Sequence, residues 1–248
     1  PAPVAVRHVT GQMLPDVVMG CLHQAVADKA PAEGTSCLWN PALMGGHGLV
    51  PDEDFGDATP FAVGLFHTGG AGARPHKDGL SATAFPSGVR NTPVEINESI
   101  APIVVWKKEY RTDSGGAGEF RGGTGQVMEI ASSENAPFAI AATFDRVHHA
   151  PRGREGGLDG FTGKVELTSG AVLNNKGTQS IPRGDRLHLE MPGGGGYGDP
   201  FQRDPGQVAI DVRDGMVSAQ AALDLYGVVL DDSGAVDVGA TESLRTGK

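Results

Sequence analysis

Cysteine, long apolar runs and basic residues are all scarce in this 248-residue chain. Two cysteines, Cys21 and Cys37, are too few for a disulfide framework, so a reduced, cytoplasmic setting is expected. No apolar run reaches the roughly 18 residues that a membrane span needs, and no export leader is recognised. The 20 Lys and Arg against 30 Asp and Glu give a net charge of -10. This balance argues against a nucleic-acid or anionic-membrane surface.

Glycine, by contrast, is abundant, at 38 of 248 residues. The glycines accompany apolar, strand-like runs, which predicts a β-rich fold with many tight turns. The longest run, MPGGGGYGDP at residues 191–200, lies between a predicted strand and a predicted helix, where nucleotide-binding loops often lie. However, a Walker loop needs a lysine after the glycines, and a dinucleotide fingerprint needs parallel strands. A tight structural crossing, with Tyr197 packed and Asp199 fixing the turn, is therefore favoured over phosphate binding.

The first 60 residues are expected to form one helix followed by an irregular segment. An apolar stripe predicts the helix over residues 15–27, with Pro15 in its first turn. Its members recur at helical spacing and are Val17, Val18, Cys21, Leu22, Ala25 and Val26. The irregular segment then covers residues 28–60.

The centre of the chain carries short runs rich in β-branched or aromatic residues, which predict strands. They lie at residues 103–110, 126–131, 138–144, 164–167 and 186–189. Their connections are turns without a helical period, so antiparallel pairing is expected.

Short helices are predicted after residue 200. Asp204 and Ser218 begin two of them and Gly227 ends the second, while residues 241–248 are expected to fray. The expected fold class is α+β, with a mainly antiparallel β-rich core, an N-terminal helix and short C-terminal helices. We divide the chain into residues 1–60, 61–200 and 201–248.

The segment RNTPVE at residues 90–95 carries the candidate catalytic groups. The planar fork of Arg90 suits a carboxylate or a phosphate, Asn91 offers neutral donors, and Glu95 could serve as an acid or a base. The alternative is structural: Arg90 and Glu95 form ion pairs, and Asn91 caps a turn. The residues alone leave both open.

Arg74 and Asp78, which follow the glycine segment GGAGAR at residues 69–74, are weaker candidates for substrate binding. The adjacent His148 and His149 fit no usual zinc spacing, so a surface loop pair is favoured and no metal ligands are assigned. Other loop histidines, His47, His67 and His76, are expected to be structural or exposed. No Gly-x-Ser-x-Gly motif occurs, which argues against an ordinary serine hydrolase.

Several motifs occur in a fixed order along the chain. They are GGAGAR (69–74), RNTPVE (90–95), DSGGAG (113–118), FRGG (120–123), MPGGGGYGDP (191–200) and the ending RDP (203–205), VRDGMVS (212–218) and YGVVL (226–230). With these motifs in this order, the chain resembles the C-terminal part of the hydantoinase B/5-oxoprolinase family. That family includes the B subunits of N-methylhydantoinases and lactamases, and the corresponding subunits of acetone and acetophenone carboxylases.

The resemblance implies a heteromeric complex. An A-type subunit would bind ATP and Mg²⁺, and the N-terminal half of the B subunit would hold a divalent metal in some members. The chain begins at Pro1 rather than methionine, and we expect further sequence upstream.

The function implied is ATP-dependent opening of a small cyclic amide such as a hydantoin or lactam. The amide oxygen would be activated by phosphoryl transfer and water would attack, with the developing oxyanion stabilised electrostatically. Arg90, Asn91 and Glu95 would line the site. Two alternatives remain: a subunit of an ATP-dependent ketone carboxylase, and a non-catalytic scaffold. The isolated chain is expected to be inactive.

Overall fold

Eight strands and five α-helices make up the part of the chain that the structure, a computed structural model, describes: residues 7–36, 38–46, 58–83, 85–89 and 91–247. The strands are β1 (Ala42–Gly45), β2 (Phe61–Gly64), β3 (Ile103–Tyr110), β4 (Gln126–Ser132), β5 (Phe138–Thr143), β6 (Lys164–Leu167), β7 (Lys176–Ile181) and β8 (Leu187–Glu190). The helices are α1 (Arg7–His23), α2 (Val94–Ile100), α3 (Pro205–Arg213), α4 (Ala219–Tyr226) and α5 (Val238–Thr246). Among these helices, none combines the length and the apolar character required to cross a bilayer.

The strands form two antiparallel sheets that share one apolar core. One sheet has the order β2-β1-β5-β7 and the other the order β3-β4-β8-β6. Buried side chains of both sheets belong to a single cluster: Leu43, Phe138, Ile140 and Ile181 from the first, and Met128, Ile130, Leu187 and Leu189 from the second. Trp39 stacks on Phe144 in this core with ring centroids 4.4 Å apart. The expected α+β class with an antiparallel core is confirmed.

The glycine segments form a second kind of core, in which backbone packs directly against backbone. Residues 193–196 run between three other segments: the first and fourth glycines face residues 114–117, the second faces Ala71, and the third faces Arg152. This three-residue repeat matches the three residues per turn of a polyproline II-type helix. A Cβ on any of the four would lie 1.9 to 2.3 Å from a neighbouring carbonyl oxygen, so only glycine fits.

All four amides of residues 193–196 are used inside this core. They donate to the carbonyls of Phe161, Gly123, Glu33 and Leu158, with N···O distances of 2.8 to 3.2 Å. The Tyr197 hydroxyl donates to the Ala27 carbonyl at 3.0 Å, and the Asp199 carboxylate accepts from the Phe201 amide at 2.9 Å. The prediction of a structural crossing is confirmed, because no N–H of the four glycines remains for a phosphate.

The five predicted strands are β3, β4, β5, β6 and β8, with ends within one or two residues of the expected ones. The sequence does not predict β1, β2 or β7. β1 lies within the stretch expected to be irregular and has no β-branched residue, and β7 is polar and mostly exposed. Both pair with the buried β5, so pairing and not local propensity imposes their extended backbone.

The C-terminal helices begin and end as predicted. Asp204 caps α3 by accepting from the Gln207 amide at 2.9 Å, and Ser218 caps α4 by accepting from the Ala221 amide at 3.0 Å. Gly227 ends α4 in the left-handed conformation, with φ of 61°. The tail differs from expectation, because residues 238–246 form α5 instead of fraying.

The first helix starts earlier than predicted, and the side of it that faces the rest of the protein is not the predicted one. It begins at Arg7, so that Pro15 lies inside it rather than in its first turn, and it ends at His23. The predicted apolar stripe faces outward, and its large exposed members are Val17, Val18, Leu22 and Val26. The opposite side carries the buried Val9, Gln12 and Asp16, of which Val9 joins the apolar core and Asp16 pairs with Arg146.

Replacing Gly194 with alanine is expected to lower the free energy of unfolding by about 3 kcal/mol, the upper end of the usual cost of overpacking. The new Cβ would lie 2.1 Å from the Ala71 carbonyl oxygen, and neither backbone can withdraw. Urea unfolding followed by circular dichroism measures the effect. The control is Gly11→Ala in α1, where a Cβ meets no atom within 4 Å and helix propensity predicts a gain of up to about 1 kcal/mol. Equal midpoints for Gly194→Ala and the unmodified chain would contradict the close packing.

Candidate functional site

A cavity of about 330 Å³ lies beside the glycine segment at residues 69–74. Its lining is mostly apolar, and its polar side chains are those of Asp16, Arg74 and Thr83. A pocket of this size with a few polar groups is the usual form of a small-molecule site. α1 supplies Asp16, and the loop before residue 91 supplies Thr83 and Phe85.

Asp16 also borders a second cavity of about 700 Å³ that runs along α1. Glu33, Arg146 and Arg152 line that cavity, and the exposed His148 and His149 lie at its rim. The histidine pair is thus on the surface, as predicted. Asp16 therefore borders two cavities.

A hydrogen-bonded network holds the Asp16 carboxylate. Its Oδ2 accepts from the Ser36 hydroxyl at 2.5 Å and from Arg146 Nη2 at 2.9 Å. The second terminal nitrogen of the same guanidinium, Arg146 Nη1, donates to Glu33 Oε2 at 3.1 Å. Arg152 completes the network by donating from its side chain and its amide to Glu33.

The two carboxyl groups of this network differ in their affinity for a proton. Burial raises the pKa of Asp16 above its ordinary value, and the hydrogen bond from Ser36 and the charge of Arg146 oppose the rise only in part. Burial acts to raise the pKa of Glu33 as well, but hydrogen bonds from Arg152 and the charge of Arg146 outweigh it and lower the pKa. Neighbouring carboxyl groups whose pKa values are driven apart are characteristic of acid–base sites.

Sequence reasoning does not find this network. Ser36 and Asp16 are 20 residues apart, and Arg146 and Asp16 are 130 residues apart. None of them belongs to the motifs that carry the family resemblance. Only the folded chain brings them together.

Of the predicted catalytic residues that the structure describes, Asn91 and Glu95, neither lines the first cavity. Arg90 lies outside the described residues. Asn91 donates to the Thr68 hydroxyl at 3.3 Å and to the Ala82 carbonyl at 3.5 Å, so it tethers the loop that borders the cavity. Glu95 is exposed on the first turn of α2 and acts electrostatically on Lys108. The catalytic roles of the three residues stay predictions.

Arg74 and Asp78, the predicted substrate-binding pair, have different surroundings. Arg74 lines the first cavity and donates to the Asp78 carbonyl at 2.5 Å. The Asp78 carboxylate instead binds Arg203 through both oxygens, at 2.7 and 2.8 Å. Arg203 in turn binds Asp211 of α3 at 2.7 Å, so the Asp78 carboxylate joins the C-terminal helices to the core.

His67 is fully buried beside the loop that Asn91 tethers. Neither of its ring nitrogens has a hydrogen-bond partner within the described ranges. Burial, with the nearby charge of Lys108, lowers the pKa of His67 to about 3. The ring is therefore neutral in the folded protein at physiological pH. His76 is exposed, as predicted, and His47 lies outside the described residues.

Within the part of the chain that the structure describes, one group of side chains has the composition and spacing of a metal site. Glu166, His188 and Glu190 place one ligand atom each within 4.8 Å of the others. They lie on the outer face of the second sheet and share no residue with either cavity next to Asp16.

Comparison with known proteins points to one family. The family model described as hydantoinase B/oxoprolinase matches residues 1–200. A protein of Pseudomonas sp. (strain NS671), named as the B-type subunit of a D-/L-hydantoinase, is 31% identical, and the match covers 99% of this chain and 40% of that protein.

Two solved structures share the fold. The ATP-dependent caprolactamase of Pseudomonas jessenii superposes with a TM-score of 0.71 at 27% identity, over 91% of this chain and 40% of that chain. The nucleotide-free acetone carboxylase superposes with a TM-score of 0.67 at 22% identity, over 97% of this chain and 36% of that chain. The chain thus spans roughly two fifths of the length of these relatives, 36% to 40%.

His67 is expected to make the fold sensitive to acid. Its folded pKa of about 3 lies below the ordinary 6.5, so the unfolded chain binds the proton more tightly. Stability is full above pH 6.5 and is lost as the pH falls towards 3, by up to about 1.4 kcal/mol per pH unit. Urea unfolding of His67→Leu between pH 7 and 4 should show a shallower decline. The control His76→Gln, at an exposed position, should lose stability with falling pH as steeply as the unmodified chain does. An equally steep loss in His67→Leu would show that His67 is not the cause of the acid sensitivity.

Proposed function

The chain belongs to the hydantoinase B/oxoprolinase family, and from this premise we propose that it forms part of an ATP-dependent cyclic amide hydrolase. The family match over residues 1–200 carries the proposal. The names of two relatives, a B-type hydantoinase subunit and an ATP-dependent caprolactamase, support a cyclic amide as the substrate class. The setting we propose is a cytoplasmic complex.

The complex we propose contains two further parts. ATP and Mg²⁺ are bound on an A-type subunit, and the N-terminal half of the B subunit holds any catalytic metal. Two observations support this division. The amides of residues 193–196 are all engaged, so these glycines offer no phosphate cradle. The exposed apolar stripe of α1 is a surface of the kind that further protein covers.

Asp16 has the properties of the proton carrier in this reaction. Opening a cyclic amide breaks the C–N bond, adds the oxygen of water to carbon and returns one proton to nitrogen. A carboxyl group whose pKa is raised by burial can accept that proton from water and deliver it to the leaving nitrogen. Glu33 remains ionised and holds Arg146 in place beside Asp16.

Arg74 is the group we assign to binding in the same cavity. Arg74 lines the cavity, and its planar guanidinium is suited to the negative oxygens of the phosphoryl group on the activated amide. Asn91 has a positioning part, since it fixes the loop that supplies another part of the wall. ATP on the A-type subunit would transfer its γ-phosphoryl group to the amide oxygen and leave ADP. That group would depart as inorganic phosphate after water has added to the carbon and the C–N bond has broken.

In the assembled enzyme, Asp16→Asn is expected to lower kcat by about 10²-fold or more, with KM changed little. Asparagine keeps the shape of the side chain but cannot accept and release a proton. The variant should also lose one limb of the pH–rate profile. Steady-state kinetics across pH 5 to 9 measure both. Asp224→Asn, an exposed position on α4, is the control and should behave as the unmodified enzyme. Retention of full kcat and of the pH profile by Asp16→Asn would exclude this role.

The substrate class is tested by ATP turnover of the reconstituted complex. Hydantoins, 5-oxoproline and caprolactam should each be tried, and at least one should stimulate ADP release together with ring opening. Small ketones with bicarbonate form the comparison. Turnover with ketones and none with cyclic amides would make the complex a carboxylase. The isolated chain should hydrolyse nothing, and ATP-dependent hydrolysis by it alone would overturn the requirement for a partner.

A further inference from the structure

The outer face of the second sheet carries a row of charged side chains across its strands. Alternation puts the apolar residues of β4, β8 and β6 in the core and leaves Glu129, His188 and Glu166 facing outward. The register places these three side by side, with His188 opposite Glu129 on one flank and opposite Glu166 on the other. Glu190 follows two residues after His188 and so lies on the same face.

The His188 ring lies between two carboxylates. Its Nδ1 is 3.3 Å from Glu129 Oε1, and its Nε2 is 3.3 Å from Glu190 Oε1. A neutral imidazole has one N–H and one lone pair, so one of these contacts would set a lone pair against a negative oxygen. That contact becomes favourable only when a cation, either a proton or a metal ion, occupies it.

Arginine residues hold the far oxygens of both carboxylates. Glu190 Oε2 pairs with Arg111 Nη2 at 2.8 Å, and Glu129 Oε2 pairs with Arg186 Nη1 at 3.4 Å. Arg111 is itself fixed by the carbonyl of Thr162 at 2.7 Å. In each carboxylate the oxygen that faces His188 is therefore left for another partner.

We propose that Glu166, His188 and Glu190 bind one divalent metal ion of the Zn²⁺ class. Ligand atoms about 2.1 Å from a tetrahedral ion lie about 3.4 Å apart, and the His188 Nε2 to Glu190 Oε1 distance is already 3.3 Å. The three ligand atoms lie within 4.8 Å of one another, so small side-chain rotations suffice to bring Glu166 into place. The imidazole ligand favours Zn²⁺ over Ca²⁺ or Mg²⁺, which prefer sites made of oxygen ligands alone.

Glu129 acts as the outer partner of this ion. A ligating histidine commonly donates its other N–H to a carboxylate, which fixes the tautomer and orients the ring. Glu129 Oε1 occupies that position at Nδ1. The fourth coordination position is open to water, as in zinc sites with three protein ligands.

Lys164 is the group that competes with the metal. Its Nζ lies 2.8 Å from Glu166 Oε1, but the lysine side chain is half-exposed and can move into solvent. The metal proposed here is separate from the one that the family resemblance assigns to the N-terminal half of the B subunit. It is also independent of the hydrolase activity proposed above, and its test needs no substrate.

The experiment is titration of the chelator-treated chain with ZnCl₂ against a chromophoric competitor, with the Co²⁺ absorption spectrum as a second readout. We expect one ion per chain and the d–d bands of four-coordinate Co²⁺. His188→Gln should weaken Zn²⁺ binding at least about 100-fold, Glu166→Gln and Glu190→Gln at least about tenfold, and Glu129→Gln about tenfold. All four positions are solvent-accessible, and thermal unfolding verifies that each variant is folded.

Two matched controls separate this site from general attraction of cations. Lys164→Gln should tighten Zn²⁺ binding severalfold by removing the competing amine, whereas Lys176→Gln, which removes an equal charge from the other sheet, should not. The double variant His148→Gln/His149→Gln should bind Zn²⁺ with the same affinity as the unmodified chain. Absence of saturable binding, equal binding by His188→Gln, or loss of the ion only in the His148 and His149 variant would each overturn the proposal.

Discussion

The packing of residues 193–196 against three other backbone segments is the contact on which the rest of the structure depends. Carbonyl oxygens stand within 1.9 to 2.3 Å of where each Cβ would be, so side chains are excluded on every side of the segment. The contact joins parts of the chain as distant as Glu33 and Gly195. Hydrogen bonds between backbones, rather than apolar side chains, hold this region, and that requirement explains the abundance of glycine.

Largely buried charged side chains of the described residues form two further networks. The two networks differ in kind. Asp78 and Asp211 share Arg203, which ties the C-terminal helices to the core. Asp16 borders two cavities, and burial raises the pKa of its carboxyl group, so it retains a proton more readily than an exposed carboxyl group.

The two faces of the second sheet have correspondingly different chemistry. Its inner face completes the apolar core, while its outer face gathers carboxylates around His188. The outer stripe of α1 adds an apolar surface to a chain that spans about 40% of a relative's length. The described residues thus present two cavities next to Asp16, a charged sheet face and an apolar helix face.

The sequence by itself determined the features that depend on neighbouring residues. Strands β3 and β6 follow from β-branched and apolar runs, the ends of α3 and α4 follow from Asp204, Ser218 and Gly227, and the order of glycine motifs identifies the family. It could not predict β1 and β7, because their extended backbone is imposed by pairing with β5.

Only the tertiary structure decided the candidate sites. Asp16 and Arg146 are 130 residues apart, and Glu129 and His188 are 59 residues apart, so no local pattern can bring them together. The same holds for the rotation of α1, whose side with Val9 and Asp16 is buried while its apolar stripe is exposed. Burial and long-range contact set the pKa of a carboxyl group and the partner of a histidine, and both quantities exist only once the chain has folded.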